Sequence, residues 1–113
     1  MSERILIEEA RHRKRVFESL DKWLGIIHSV VKGMDSEADV YLFGSFAEGR
    51  HTYSSDIDIL IVTKRKPEVV IAELWKAHVT SPFEIHVIPP ERLYLYAKRG
   101  RLLRLGSEGR KEN

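Results

Sequence analysis

Residues 56–62 read Asp-Ile-Asp-Ile-Leu-Ile-Val and form the strongest strand pattern in the chain. Isoleucine occupies every second position, and a β-strand turns alternate side chains to opposite faces. The segment therefore predicts a strand with an apolar face on one side and both Asp56 and Asp58 on the other.

Two further segments predict strands beside it. Residues 38–43 are rich in β-branched and aromatic side chains and end at Gly44, and residues 83–88 lie between prolines. Alternation places Glu84 on the polar face of the second segment together with His86. A histidine there either assists proton transfer or substrate binding or is an ordinary surface residue.

Helical periodicity surrounds these strands. Apolar residues three and four apart predict one long helix over residues 3–31, with a C-cap at Gly33. Pro67 opens a second helix, and Pro90 opens a last helix that reaches about Leu103. The predicted fold is an α/β (α+β) sandwich, in which a small mixed sheet of three strands carries helices mainly on one face.

Length and composition indicate one soluble domain. The chain has 113 residues, of which 42% are hydrophobic and 32% charged, and no apolar run approaches the roughly 20 residues that span a membrane. We expect a single domain over residues 1–105 and a disordered tail over residues 106–113. The N-terminus lacks a secretory signal pattern, so a cytoplasmic location is expected. Cysteine is absent, which excludes disulfides, thiolate nucleophiles and Cys-ligated zinc.

The formal net charge of +2 is too small to imply nucleic-acid binding. Basic residues nevertheless cluster in two places: Arg11, Arg13, Lys14 and Arg15, and then Lys98, Arg99, Arg101 and Arg104. Solvated helix faces are the favoured interpretation, and a patch for RNA or an acidic partner is the weaker alternative.

Asp56 and Asp58 point to a cation site. On a strand their Cα atoms lie about 7 Å apart and both side chains leave the same face. Aspartate is disfavoured in strands and two like charges repel, so the pair is costly unless a cation lies between them. Mg²⁺ prefers such carboxylate oxygens. The alternative is that Asp56 caps the loop and Asp58 faces water.

Gly44 and Ser45 predict a phosphate-binding turn after the preceding strand. We expect a helical turn at residues 45–48 and a polar loop at residues 49–55. Free backbone N–H groups and a hydroxyl at such a turn can hold a phosphate, and glycine lets the backbone approach it closely.

These two halves together resemble a family signature. Gly44-Ser45, ten further residues and Asp56-Ile57-Asp58 match the Gly-Ser-x10-Asp-x-Asp signature of the DNA polymerase β-like nucleotidyltransferases. The short chain is similar to the minimal nucleotidyltransferases of bacteria and archaea, some of which are antitoxins. The resemblance covers residues 38–88. It implies a polymerase β-like palm that moves a nucleoside monophosphate, expected to be AMP from ATP, onto an acceptor.

The resemblance also implies the residues of the site. Asp56 and Asp58 would bind two Mg²⁺ ions, and Glu84 would supply the third carboxylate that the family takes from a neighbouring strand. Ser45 and the amides of residues 44–46 would hold the β- and γ-phosphates of ATP. One ion would lower the pKa of the acceptor hydroxyl while the other stabilises the leaving pyrophosphate.

Three positions depart from the family pattern. Glu84 stands where Asp is more usual, and an edge residue facing solvent is its alternative role. Phe46 offers its amide to the phosphates, yet Phe46 and Glu48 stand where the family often has basic residues. Phosphate neutralisation is therefore expected from the metal, Arg50, Lys64 or a partner.

Acceptor choice is expected to come from a partner, because a domain of this size has no room for a second substrate domain. In the antitoxin group the partner is an α-helical HEPN-type toxin, and the modification is adenylylation of a tyrosine. The candidates for docking or for a homodimer contact, with burial in the core as the alternative, are Phe17, Trp23, Leu93, Tyr94, Tyr96 and Leu103.

Two other functions stay open at this point. One is a catalytically weak or inactive binding module that keeps the nucleotidyltransferase fold and acts by contact with a partner. The other is an RNA-end nucleotidyltransferase that uses the basic clusters to bind phosphates.

Overall fold

A mixed β-sheet forms the centre of the computed structural model, which describes residues 3–52, 54–106 and 111–112. Within that part of the chain the sheet has five strands: β1 (Asp39–Phe43), β2 (Ile57–Val62), β3 (Phe83–Ile88), β4 (Leu103–Leu105) and β5 (Lys111–Glu112). Their order is β3-β2-β1-β4-β5. β2 and β3 are parallel, and the other neighbours are antiparallel. The predicted mixed sheet is confirmed, although the expectation of three strands was wrong.

Helices cover this sheet mainly on one face, as predicted. They are α1 (Glu3–Glu18), α2 (Leu20–Met34), α3 (Gly44–Ala47), α4 (Pro67–Lys76) and α5 (Leu93–Ala97), the last preceded by a 3-10 turn at Pro90–Arg92. The main core joins α1, α2 and α4 to the isoleucines of β2 and the inward residues of β1. A smaller cluster on the other face contains Leu60, Val62 and Ile88. The alternation predicted for residues 56–62 therefore holds across both faces.

The N-terminal helical region consists of two helices, so the prediction of one long helix was wrong. Ser19 interrupts it with φ −116° and ψ 30°, and its hydroxyl donates to the Arg15 carbonyl at 2.8 Å. Serine side chains compete for backbone groups in this way. The helix also runs past Gly33 to Met34, where the extended backbone of Asp35 ends it. Apolar periodicity alone reveals neither a one-residue break nor which residue stops the helix.

The region after Pro90 also differs from the predicted helix. α5 ends at Ala97, and the chain then forms β4, in which Leu103 pairs with Leu42 and Arg104 with Tyr41. Pairing satisfies the free edge of β1, and it places Leu105 in the core with 3% of its surface exposed. These gains outweigh the helical propensity of the segment.

The predicted tail is only partly described. Residues 107–110 and 113 lie outside the described residues, whereas Lys111 and Glu112 pair with β4. Across the helices that the structure describes, we find none that has both the length and the apolar character of a membrane span.

Candidate active site

Asp58, Glu84 and His86 converge on the less covered face of the sheet. Asp58 is the second residue of β2 and lies opposite Glu84 in the parallel register with β3. His86 follows two residues later and so shares the face of Glu84. Its Nε2 lies 3.4 Å from Glu84 Oε1 and 3.9 Å from Asp58 Oδ1.

The spacing of these three side chains fits a divalent cation. One ligand atom from each lies within 4.8 Å of the others. Two ligands on opposite sides of Mg²⁺ are about 4.2 Å apart, because each bond is about 2.1 Å long. Small side-chain shifts therefore suffice for Asp58, Glu84 and His86 to share one ion.

Electrostatics at Asp58 also favour a cation. Burial raises the pKa of its carboxyl, and the negative charge of Glu84 and a hydrogen bond with Glu84 raise it further, while His86 lowers it. Ionised Asp58 is thus unfavourable beside Glu84 until positive charge arrives. A bound cation would supply that charge.

Asp56 lies outside this cluster, although the sequence predicts it as a ligand beside Asp58. It precedes β2, and its Oδ1 accepts a hydrogen bond from Arg13 Nη2 at 3.2 Å. Arg13 also donates to the Ser55 carbonyl at 3.1 Å, with only 18% of its side chain exposed. His12 Nε2 lies 2.9 Å from the Ser81 carbonyl oxygen, so α1 contacts the chain ahead of both β2 and β3. Sequence reasoning missed this role because Arg13 was grouped with solvated basic residues.

Gly44 connects the predicted phosphate-binding turn to the carboxylate of Asp58. Its φ is +70°, and a Cβ at this position would overlap the carboxylate of Asp58. Glycine is required at position 44 for two reasons. Residues with a side chain rarely adopt a positive φ, and any Cβ would collide with the Asp58 carboxylate. Ser45 follows as the second residue of α3 and is half-buried. The expected helical turn is therefore present and abuts the carboxylate of Asp58.

Phe46 and Glu48, which stand where basic residues were expected, make contacts within the protein. The Phe46 ring stacks on His51, with centroids 3.8 Å apart, and lies 5.4 Å from the ring of Phe17. Glu48 Oε1 accepts a hydrogen bond from the Arg101 backbone N–H at 2.7 Å. Their side chains hold the loop and the C-terminal segment in place.

The structure separates the two predicted phosphate-binding cations. Arg50 lines a cleft of about 140 Å³ that also borders Gly44. Lys64 instead follows the far end of β2, beside Asp35 and Arg65. Lys64 lies six positions after Asp58 in the sequence, or about 20 Å along an extended chain. The structure therefore does not bring Lys64 to the site.

Comparison with known proteins agrees with this geometry. The family described as "Nucleotidyltransferase domain" matches residues 24–104. A crystal structure of a protein assigned as a nucleotidyltransferase is 30% identical, with a TM-score of 0.57 over 71% of this chain and 94% of that chain. A second such protein, from Sulfolobus solfataricus, is 20% identical, with a TM-score of 0.59 over 86% of each chain. At that lower identity the second match shows similarity of fold alone.

Proposed function

The chain belongs to the nucleotidyltransferase domain family, and from this premise we propose that it transfers AMP from ATP to a hydroxyl acceptor with the help of divalent cations. The observation that carries the proposal is the contact between Gly44 and Asp58. It joins a phosphate-binding turn to a set of cation ligands within one site.

Asp58, Glu84 and His86 are the residues that would hold the first cation. Asp56 would join them, or hold a second ion, after its ion pair with Arg13 opens. Mg²⁺ is the proposed physiological ion, and the imidazole adds a nitrogen ligand that Mn²⁺ also accepts. When bound, the cations make the acceptor hydroxyl more acidic and neutralise charge on the phosphates.

The residues of this chain mainly position the reacting groups. The acceptor oxygen forms a bond to the α-phosphorus, the bond between that phosphorus and the leaving pyrophosphate breaks, and the hydroxyl proton is released to solvent. The backbone at Gly44 and Ser45 would hold the phosphates, because no Cβ blocks their approach at Gly44.

We propose a tyrosine of a HEPN-type protein as the acceptor, on the strength of the likeness to the minimal nucleotidyltransferases. Of the docking residues considered from sequence, Tyr94 is 58% exposed and remains available. Phe17 and Trp23 pack against the main core, while Leu93 and Tyr96 pack against the smaller cluster. The proposed docking surface therefore lies around Tyr94, on the same helix as Tyr96, whose ring lies 6.4 Å from that of His86.

Labelled ATP tests this proposal directly. The protein is incubated with ATP labelled at the α-phosphate and Mg²⁺ or Mn²⁺, with and without a HEPN-type partner, and label is followed in protein and RNA. We expect label in the partner's tyrosine, abolished by Asp58→Asn and retained by the control Asp21→Asn at an exposed position of α2. Absence of both label and nucleotide binding would contradict the enzyme proposal, and label in RNA alone would favour the RNA-end function.

The ion pair between Arg13 and Asp56 favours a second candidate, the binding module without chemistry. A carboxylate held by a half-buried arginine is less available to a metal ion. The two candidates differ in cation binding. If saturating Mn²⁺ leaves wild type and Asp58→Asn indistinguishable in heat of binding, the binding module is the better description.

A further inference from the structure

We infer that the segment between α5 and β4 supplies the positive charge for the triphosphate, through Arg99 and Arg101 acting with Arg50 beside Gly44. The inference rests on the proposed function and deepens it. It identifies the groups that replace the basic residues expected directly after Gly44 and Ser45. We call this group the arginine cleft.

The position of the arginine cleft is suited to a phosphate chain. Gly44, Arg50, Arg99 and Arg101 line one cavity of about 140 Å³. Gly44 also abuts the carboxylate of Asp58. The cleft and the cation ligands thus share one glycine, so a nucleotide whose α-phosphate lies at Asp58 would direct its outer phosphates toward the arginines.

Two contacts hold the arginine-bearing segment against this turn. Glu48 Oε1 accepts from the Arg101 N–H at 2.7 Å, and a Cβ at Gly100 would come within 2.8 Å of the same oxygen. A side chain at position 100 would therefore have to displace the Glu48 carboxylate. The Glu48 carboxylate is hydrogen-bonded to the backbone of the segment, and this bond fixes Arg101 relative to α3.

An aromatic contact holds the other arginine. The Arg99 guanidinium lies over the Tyr96 ring, 5.3 Å from its centroid. Tyr96 in turn meets Phe43 edge-on at 5.5 Å and 88°, and Phe43 directly precedes Gly44. Arg101 is thus hydrogen-bonded to Glu48 directly after the phosphate turn, and Arg99 is linked through Tyr96 to Phe43 directly before it.

The charge of the cleft is available to a ligand. Among the residues that the structure describes, no carboxylate forms an ion pair with Arg50, Arg99 or Arg101; their neighbour Glu48 accepts from a backbone group instead. Guanidinium groups bind phosphate oxygens with paired hydrogen bonds and stay charged at every physiological pH. A cleft of this size admits the end of a phosphate chain, whereas a nucleic-acid backbone would need an open groove.

Binding of a non-hydrolysable nucleotide tests the arginine cleft. α,β-Methylene-ATP and AMP are titrated calorimetrically in the presence of Mn²⁺ into wild type and into Arg99→Met plus Arg101→Met. We expect the affinity for the triphosphate to fall by about tenfold or more, as for the loss of one strong charged contact. The affinity for AMP should change less than about twofold, because AMP lacks the outer phosphates. Arg92→Met plus Lys98→Met removes the same charge outside the cleft and should bind like wild type.

A second pair of variants tests Glu48 as a positioning residue. Glu48→Ala frees the Arg101 backbone and should weaken α,β-methylene-ATP binding, whereas Glu48→Gln keeps an acceptor oxygen and should restore it. Equal affinity in Glu48→Ala and wild type would contradict the positioning role. Because Glu48 and both arginines are exposed, these changes leave the core intact.

The remaining outcomes separate the inference from the proposed function. Wild-type affinity in the double arginine variant, or an equal loss for AMP and the triphosphate, overturns the arginine cleft alone. A loss confined to an RNA oligonucleotide, with nucleotide binding unchanged, overturns it in favour of a nucleic-acid contact. If wild type with Mn²⁺ fails to bind α,β-methylene-ATP, both the cleft and the proposed function are wrong.

Discussion

The carboxyl of Asp58 lies between Phe43 on one neighbouring strand and Glu84 on the other. Its raised pKa means that folding favours the protonated form. The stabilising contribution of the protonated carboxyl is complete below the unfolded pKa and is lost as pH rises through the folded pKa. At neutral pH and without a bound metal ion, the ionised carboxylate of Asp58 therefore lowers the stability of the folded protein.

Asp58→Asn should stabilise the metal-free protein while it abolishes nucleotidyl transfer. Removing the repulsion by Glu84 is expected to raise the free energy of unfolding by up to about 1 kcal/mol at pH 7. The gain should shrink at acidic pH, where wild-type Asp58 is protonated. Urea unfolding at pH 7 and at acidic pH measures this gain in the free energy of unfolding. Asp21→Asn, at an exposed acidic residue in the first turn of α2, serves as the control and should give no gain; a destabilised Asp58→Asn would contradict the prediction.

His86 provides a second test at the residue scale. Its Nε2 lies near both Glu84 and Asp58, so His86→Gln should remove a cation ligand. We expect the affinity for Mn²⁺, followed by electron paramagnetic resonance, to fall roughly tenfold, which corresponds to about 1.4 kcal/mol. His78→Gln, the same substitution at an exposed histidine, is the control and should leave the Mn²⁺ affinity unchanged. Unchanged Mn²⁺ affinity in His86→Gln would leave Asp58 and Glu84 as the relevant ligands.

Among the elements, those with period-two alternation were predictable and those defined by tertiary contacts were not. β2 and β3 have the predicted positions, because alternation and flanking prolines mark them directly. β4 was missed because its leucines also fit a helical spacing, and only the free edge of β1 shows which pattern prevails. In the site, the alternation of side chains along each strand correctly placed Asp58 and Glu84 on the same face of the sheet. Contacts with Arg13 and Arg101 span more than 40 residues and leave no local signal.

Leu105 tests the strand assignment of β4. Its side chain is 3% exposed and belongs to the main core, whereas Leu95 of α5 is 42% exposed. Leu105→Ala should lower the free energy of unfolding by about 2–5 kcal/mol, as expected for a buried leucine. Leu95→Ala is the matched control and should change little. Similar losses at both positions in urea unfolding would argue against a buried β4.

Thr63 stabilises the junction between β2 and α2. Its hydroxyl donates to Asp35 Oδ2 at 2.6 Å and accepts from the Arg65 N–H at 3.1 Å. Thr63→Val should cost about 1–2 kcal/mol at neutral pH. Thr63→Ser keeps the hydroxyl and should cost less.

The pH dependence of this effect follows from Asp35. The hydrogen bond from Thr63 is the first cause that lowers its pKa, followed by the backbone bond from Glu37. A lowered pKa stabilises the fold above the unfolded value, and that stability is lost as pH falls through the folded value. The difference between wild type and Thr63→Val should therefore narrow in acid; a constant difference would contradict the role of Asp35.

Over the whole molecule, α1 lengthens the fold and reaches across the loop before β2. The molecule measures 44 × 29 × 26 Å along its principal axes. The first part of α1 exposes Ile5, Leu6 and Ile7 at 52% each, while Val16 near its end is buried. α1 thus has an exposed first part and a second part that packs against the domain carrying the site.

Arg13→Gln should release Asp56 and increase Mn²⁺ affinity, because a competing positive partner is lost. We expect a gain of roughly threefold to tenfold, the usual size for an ion pair of about 1 kcal/mol. Arg11→Gln removes the same charge from an exposed position of α1 and controls for net charge. A decrease in Mn²⁺ affinity would show that Arg13 instead holds Asp56 in its binding orientation.

The contact between Arg13 and Asp56 makes α1 a reporter of what the site contains. Linkage is reciprocal, so an ion that draws Asp56 away from Arg13 loosens α1 by the same free energy that a docked α1 subtracts from ion affinity. Amide hydrogen exchange along the second half of α1 would then quicken on addition of Mn²⁺. By the same coupling, a protein that binds the exposed isoleucines of α1 would change the affinity of the site for the cation. It would thereby set the cation concentration at which the site is filled.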